Sequence, residues 1–195
     1  HYTPVPGLDD LRVSIAEKFK RDNNLDFTKD EIVVSTGAKQ SLANICLSLL
    51  DPGDEVLLPC PYWVSYAEII KLAEGTPIEI SSSVKDNFKV SAKQIENAIT
   101  EKTKMFMFSS PCNPSGSVYT ENELREIAKV FEKNPQIFIV SDEIYEHINF
   151  TNQHFSIGRI DSLKDRVVTV NGVSKGFAMT GWRVGFIGAP LWIAK

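Results

Sequence analysis

Short runs of consecutive apolar residues recur along this chain, and segments with a helical spacing of apolar residues separate them. The runs predict seven β-strands, near residues 32–34, 55–59, 77–81, 105–108, 137–140, 167–170 and 184–187. The intervening segments predict helices over residues 8–22, after residue 37 up to 50, and over 62–74, 91–100 and 120–133. Strands that are apolar throughout are typical of a sheet covered on both faces. The pattern therefore predicts an α/β fold with a mostly parallel seven-stranded sheet between helices.

Size and charge restrict the class of protein further. The chain has 195 residues, the size of one domain or at most two small ones, and a formal net charge of −4. Because it has no basic block, we expect no nucleic acid and no anionic membrane surface as a partner. Three cysteines without a CxxC pair and three widely separated histidines predict no metal site. No apolar run approaches the ~18 residues of a membrane helix. We expect a cytoplasmic protein.

Polar and aromatic residues follow five of the predicted strands. In sheets of this class, ligands bind beyond the carboxyl ends of the strands. We therefore expect one edge of the sheet to carry the functional site. The segments that should meet there are residues 35–39, 59–63, 109–113, 141–145 and 171–175.

Lys175 is the most informative single residue of these segments. It lies among small and apolar neighbours, so we expect a partly desolvated amine suited to Schiff-base chemistry, whereas an isolated lysine would ordinarily lie at the surface. Ser174 could form a hydrolytic dyad with it, but adjacent side chains in a strand point apart. Arg183 could bind a phosphate through its guanidinium or form a surface ion pair.

The other candidates each have an ordinary interpretation as well. Asp142 at a strand end could hold a cationic ring nitrogen or cap the following segment, and Tyr145 lies one turn further on. Asn113 could be a plain turn residue, and Trp63 could stack on a ligand ring or fill the core. The helix that begins after Gly37 offers amide groups for a phosphate, although a βα turn alone is weak support.

Taken together, these residues match the requirements of one cofactor. A lysine, a carboxylate for a ring nitrogen, a tyrosine and an asparagine for a phenolic oxygen, an aromatic ring and a phosphate seat are what pyridoxal 5′-phosphate requires. The sequence thus predicts a pyridoxal phosphate site at the edge of the sheet.

Five segments resemble motifs of the fold-type-I aminotransferases, and most closely those of the bacterial aspartate aminotransferases. They occur in the family's order and extend over essentially the whole chain. They are YTPVPG at residues 2–7, PYWVSY at 61–66, NPSG at 113–116, SDEIYE at 141–146 and SKGFAMTGWRVG at 174–185.

The resemblance implies a role for each candidate residue. Lys175 would form the Schiff base with the cofactor and then move the substrate proton, and Asp142 would keep the ring nitrogen protonated. Asn113 and Tyr145 would hydrogen-bond the ring oxygen, and Trp63 would stack on the ring. The phosphate would be bound by Gly37, Ala38, Ser174 and Arg183.

The resemblance also implies partners and substrates. The residue matching Tyr2 reaches the phosphate of a second subunit in the family, so a homodimer is expected. Lys39 matches a position at the cofactor site that binds the distal carboxylate of aspartate, glutamate or prephenate in one subgroup. The implied reaction transfers an amino group from aspartate, or a similar dicarboxylic amino acid, to a 2-oxo acid such as 2-oxoglutarate.

Members of this family are about twice as long as this chain. Residues 1–195 would therefore form one incomplete large cofactor domain, without the N-terminal arm and the C-terminal small domain, and would be inactive alone. Aromatic or alanine aminotransferases and carbon–sulfur lyases share the scaffold and stay open as alternatives. A regulator that senses pyridoxal phosphate is an alternative of another class, which a preceding DNA-binding segment would distinguish.

Overall fold

A seven-stranded sheet forms the centre of the computed structural model, which describes residues 2–151 and 154–195. The strand order is β1-β7-β6-β5-β4-β2-β3, and β7 runs in the direction opposite to the other six strands. The predicted seven-stranded, mostly parallel sheet is thereby confirmed. The strands are β1 (Ile32–Ser35), β2 (Glu55–Pro59), β3 (Thr76–Ile80), β4 (Thr103–Ser109), β5 (Phe138–Asp142), β6 (Val167–Gly172) and β7 (Gly185–Gly188).

The helices lie between the strands, mostly within a few residues of the predicted bounds. They are α1 (Asp9–Lys18), α2 (Ala38–Leu49), α3 (Ser65–Leu72), α4 (Ala92–Ala98), α5 (Glu121–Glu132) and α6 (Leu191–Ala194). α5 starts at a capping box in which the Thr120 hydroxyl accepts from the Glu123 amide, as its sequence predicts. One predicted bound differs more, since α3 starts three residues after residue 62. The first helical segment ends at Asn23, close to the predicted residue 22, with its last turn as a π-helix over Phe19–Asn23.

The core has two main layers, one on each face of the sheet. Phe106 and Ile139 pack with the buried side of α5, whereas Met107 and Val140, one residue further along the same strands, pack with α2 and α3. Successive side chains of a strand point to opposite faces, so a strand covered on both faces must be apolar throughout. This is why the apolar runs predicted the layers correctly.

The antiparallel direction of β7 brings the segment before it to the carboxyl edge. Gly185, its first residue, pairs with Ser35 at the end of β1 and with Gly172 at the end of β6. A Cβ atom on Gly185 would lie 2.2 Å from the backbone nitrogen of Ala38, so glycine is needed for α2 to start against the sheet. Among the described residues, no helix is long and apolar enough to cross a membrane.

Candidate active site

A cleft of ≈310 Å3 lies at the carboxyl edge of the sheet, at the start of α2. It is lined by segments that follow β1, β2, β4, β5 and β6, and by the segment that precedes β7. The predicted residues that line it are Ala38, Lys39, Trp63, Asn113, Asp142, Tyr145, Ser174, Lys175 and Arg183. The structure therefore brings these nine side chains together from distant parts of the chain.

Asp142, the last residue of β5, has a buried carboxyl group whose charge is only partly compensated. It accepts a hydrogen bond from the Tyr66 hydroxyl at 2.7 Å and one from the Ile144 amide at 3.2 Å. Burial raises the pKa of Asp142 to about 6 in spite of these two donors. Both interpretations of this residue therefore have support, because it caps the following turn and also faces the cleft, where a cation would stabilise its charge.

Tyr145 and Asn113 lie side by side on the cleft wall. The Asn113 amide nitrogen is 3.4 Å from the Tyr145 hydroxyl, and both side chains are half-buried. Tyr145 reaches the cleft because the chain turns after Asp142, with the Glu146 amide donating to the Glu143 carbonyl and the Ile148 amide to that of Tyr145. Two polar groups thus face one point of the cleft, as binding of a ligand oxygen requires.

Trp63 and Lys39 form another part of the wall. The Trp63 ring meets the Tyr66 ring edge-on at 5.6 Å, and the Lys39 ammonium lies 4.8 Å from the centre of the indole. No carboxylate of the described chain lies within ion-pair distance of Lys39, which is exposed. The ammonium is therefore available to an anionic group of a ligand.

Lys175 follows β6 and borders the cleft, with its ammonium 5.9 Å from the centre of the Tyr145 ring. The side chain is exposed, so the desolvation predicted from its small and apolar neighbours is wrong for this chain. The reason is that Gly176, Phe177 and Ala178 are themselves exposed and form no apolar cover over the amine. Ser174 also lines the cleft, and no contact between the two side chains supports a hydrolytic dyad.

Arg183 and the start of α2 form a cradle suited to a phosphate. The guanidinium lies directly over Gly37, where a Cβ atom would be 2.2 Å from an Arg183 nitrogen. Arg183 donates to the Thr180 carbonyl at 2.9 Å and, more weakly, to that of Thr36 at 3.4 Å. Since both acceptors are neutral carbonyls, the surface ion pair weighed for this residue does not form within the described ranges. The positive charge and the helix N-terminus favour an anion here.

Two predicted residues do not line the cleft, and five residues that do line it were missed, namely Leu42, Tyr66, Ser109, Ile144 and Thr180. Gly37 lies behind Arg183 as part of the cradle, and Tyr2 is fully exposed near the start of the described chain. Tyr66 was absent from the predicted site although its hydroxyl holds Asp142. The Tyr66 amide donates to the Trp63 carbonyl at 2.9 Å in the turn before α3, so the PYWVSY segment that contains both residues was the available signal.

The fold and the cleft define an α/β protein with a ligand site at the carboxyl edge of a mostly parallel sheet. The family model of the class I and II aminotransferases matches residues 1–195 of the chain. The chain belongs to the class I and II aminotransferase family.

Relatives and solved structures agree with this assignment. The chain is 49% identical to the aspartate/prephenate aminotransferase of Nitrosomonas europaea over 191 residues, which are 97% of this chain and 48% of that protein. It matches the aspartate aminotransferase structure from Rhizobium meliloti with a TM-score of 0.97 and 41% identity, covering 100% of this chain and 49% of the other.

An aromatic aminotransferase from Pyrococcus horikoshii OT3 matches almost equally well. The TM-score is 0.95 and the identity 42%, over 100% of this chain and 52% of that one. Backbone similarity therefore does not separate aspartate from aromatic substrates. This chain spans about half the length of the relatives it matches.

Proposed function

We propose that the protein to which this chain belongs is a pyridoxal phosphate-dependent transaminase that transfers the amino group of aspartate, or a similar dicarboxylic amino acid, to a 2-oxo acid such as 2-oxoglutarate. The observation that carries the proposal is the single cleft in which Lys175, Asp142 and Arg183 meet. These residues supply an amine, a buried carboxylate and a phosphate cradle, and the matching family is generally dependent on this cofactor.

The residues of the cleft fit pyridoxal phosphate on two observations. The buried Asp142 has a raised pKa, so a cationic ring nitrogen would stabilise its charge. The cradle at Gly37 leaves no room for a Cβ atom and exposes an arginine beside a helix N-terminus. When bound, the cofactor supplies an electrophilic carbonyl and a ring that accepts electrons.

Each residue then has a defined task. Asp142 would hold a proton on the ring nitrogen, while Tyr145 and Asn113 would donate hydrogen bonds to the ring oxygen. Arg183, with the backbone of Gly37 and Ala38 and the Ser174 hydroxyl, would hold the phosphate. The task of Trp63 would be to cover one face of the ring. The Lys175 amine would accept the proton that leaves the substrate and return it, as a general base and acid.

The substrate class follows from Lys39. Its ammonium has no carboxylate partner in the described chain and would pair with the distal carboxylate of a dicarboxylic substrate. Two curated relatives are named aspartate/prephenate aminotransferases, which supports the same class. An aromatic aminotransferase is the second candidate, since the matching structure from Pyrococcus horikoshii OT3 is an enzyme of that kind.

The experiment has two stages, both with the full-length protein. Addition of pyridoxal phosphate, reduction with borohydride and peptide mapping should label Lys175. Aspartate and 2-oxoglutarate should then be converted. Lys39→Ala should raise the KM for aspartate about tenfold and leave the KM for an aromatic amino donor unchanged. Lys71→Ala, which removes an exposed lysine paired with Glu68, is the matched control.

The remaining assignments are part of the same proposal. Residues 1–195 would be the cofactor-binding domain of a homodimer in which Tyr2 reaches the second subunit. A label on Lys175 without turnover of aspartate would favour the aromatic enzyme or a sensing domain. Absence of any label would contradict the proposal itself. The cytoplasmic location stays a prediction.

A further inference from the structure

A second cluster of charged side chains lies beneath the turn that carries Asp142 and Tyr145. Along this turn, Asp142 and Tyr145 border the cleft, whereas Glu143 and Glu146 are 1% and 8% exposed and lie on the buried side. Burial of a carboxylate costs free energy unless other groups form hydrogen bonds or an ion pair with it. Their partners therefore show how the turn is kept in place.

Glu143 has a carboxylate with four side-chain partners. One oxygen accepts from the hydroxyls of Ser141 at 2.9 Å and Ser156 at 2.7 Å. The other lies 3.2 Å from the Asn23 amide nitrogen and 2.9 Å from the His154 ring nitrogen. Burial alone would lower the pKa of His154, but its pairing with Glu143 outweighs burial and raises it. Protonated His154 would therefore stabilise the buried carboxylate.

Glu146 is held from the first helix of the chain. It forms an ion pair with Lys18 and accepts a hydrogen bond from the Asn23 amide nitrogen. Lys18 in turn donates to the Asn23 amide oxygen at 2.6 Å. Asn23 therefore bridges both buried carboxylates and the lysine. The Lys18 ammonium supplies positive charge to this cluster of carboxylates.

The same turn also contacts the segment that carries Lys175. The His147 ring lies edge-on to the Phe177 ring at 5.4 Å, and a Cβ atom on Gly176 would lie 3.0 Å from His147. The His147 ring nitrogen is 3.2 Å from a Glu146 oxygen. Displacement of the turn would therefore move the neighbours of Lys175 as well as Asp142 and Tyr145.

We propose that Asn23 is a positioning residue for the cofactor site, although it lies outside the cleft and touches none of its polar groups. By bridging Glu143 and Glu146, it holds the turn so that Asp142 and Tyr145 face the cleft and His147 supports the lysine segment. The inference deepens the proposed function and rests on it for its effect on pyridoxal phosphate. Positional errors near 1 Å at such a site can cost a large fraction of activity or affinity.

The test uses Asn23→Leu in the full-length protein, because leucine fills a similar volume without hydrogen bonds and leaves the charge unchanged. In the cofactor-free variant, hydrogen exchange of the Glu146 and Ile148 amides should be at least about tenfold faster than in the parent protein. The dissociation constant for pyridoxal phosphate should rise about tenfold, and the pH midpoint of its visible absorbance should shift.

Asn134→Leu is the matched control, since it removes an amide hydrogen bond to the Val130 carbonyl at the end of α5, away from the cleft. A lower melting temperature in both variants, with exchange and affinity unchanged, would overturn the proposal. If Asn23→Leu does not fold, Asn23→Ala removes the same two hydrogen bonds to Glu143 and Glu146 with a smaller side chain and is judged by the same criteria. If the parent protein does not bind pyridoxal phosphate, the proposed function fails. Hydrogen exchange of the Glu146 and Ile148 amides, measured without the cofactor, still decides whether Asn23 positions the turn.

Discussion

Charged groups on the two sides of the turn from Asp142 to Glu146 differ in how many partners the protein provides for them. On the buried side, Glu143 and Glu146 are surrounded by hydrogen-bond donors and a lysine from the protein. On the cleft side, Asp142 has two donors and a raised pKa, and Lys175 has no ion-pair partner in the described chain. Buried polar groups are normally satisfied within a protein. Charges that lack such partners therefore indicate where a ligand supplies them.

The largest effect on stability is expected on the buried side. Glu146→Gln removes the carboxylate from the Lys18 ammonium and leaves that cation without its counter-charge. We expect the free energy of unfolding to fall by about 4 kcal/mol, measured by chemical denaturation. Glu126→Gln, in an exposed pair with Lys129, is the control and should cost less than about 1 kcal/mol. Equal effects of the two substitutions would contradict the comparison.

A smaller change, an increase in the free energy of unfolding, is expected for Asp142→Asn in the absence of the cofactor. Folding raises the pKa of Asp142 from 3.8 to about 6, so ionising it in the folded state costs about 3 kcal/mol. This cost is absent below about pH 4, grows as the pH rises from about 4 to about 6, and is fully present at pH 8. The variant should therefore be more stable than the parent protein at pH 8, with a difference that closes towards pH 4.

Urea denaturation at several pH values measures that difference. Pyridoxal phosphate should reverse the order, because its ring nitrogen would stabilise the ionised carboxylate of the parent protein and not the amide. A variant that is less stable at every pH would show that Asp142 serves the fold rather than a ligand.

The smallest change in stability is expected at the phosphate cradle. Arg183→Gln should alter the free energy of unfolding by no more than about 0.5 kcal/mol, since the arginine is exposed and bonds only neutral carbonyls in the described chain. The dissociation constant for pyridoxal phosphate should nevertheless rise at least about tenfold, by equilibrium titration. A large loss of stability with unchanged affinity for pyridoxal phosphate would show that Arg183 serves the fold and not the ligand.

Local sequence patterns were sufficient for most of the fold and for much of the cleft. The apolar runs predicted seven strands because a strand such as β4 is covered on both faces. The capping box at Thr120 predicted the start of α5 because its hydrogen bonds join residues three apart. Convergence of Asn113, Asp142 and Lys175 followed from the common direction of parallel strands.

Other features depend on contacts between residues that are far apart in sequence. Arg183 precedes a strand and reaches the cleft only because β7 runs antiparallel, and no local pattern indicated that direction. The bridge from Asn23 to Glu143 joins residues 120 positions apart, and no periodicity links them. Exposure of Lys175 likewise was not predictable from its sequence, because only the tertiary structure leaves the neighbouring Phe177 and Ala178 exposed.

The sequence by itself determined the strands, the helices and the kinds of chemical group at the edge of the sheet, because these depend on side-chain periodicity and on short-range hydrogen bonds. The tertiary structure alone decided which of those groups the protein neutralises and which it leaves facing the cleft. That division depends on burial and on partners from distant segments. Glu143 and Asp142 are adjacent in sequence, yet one is satisfied by the protein and the other faces the cleft.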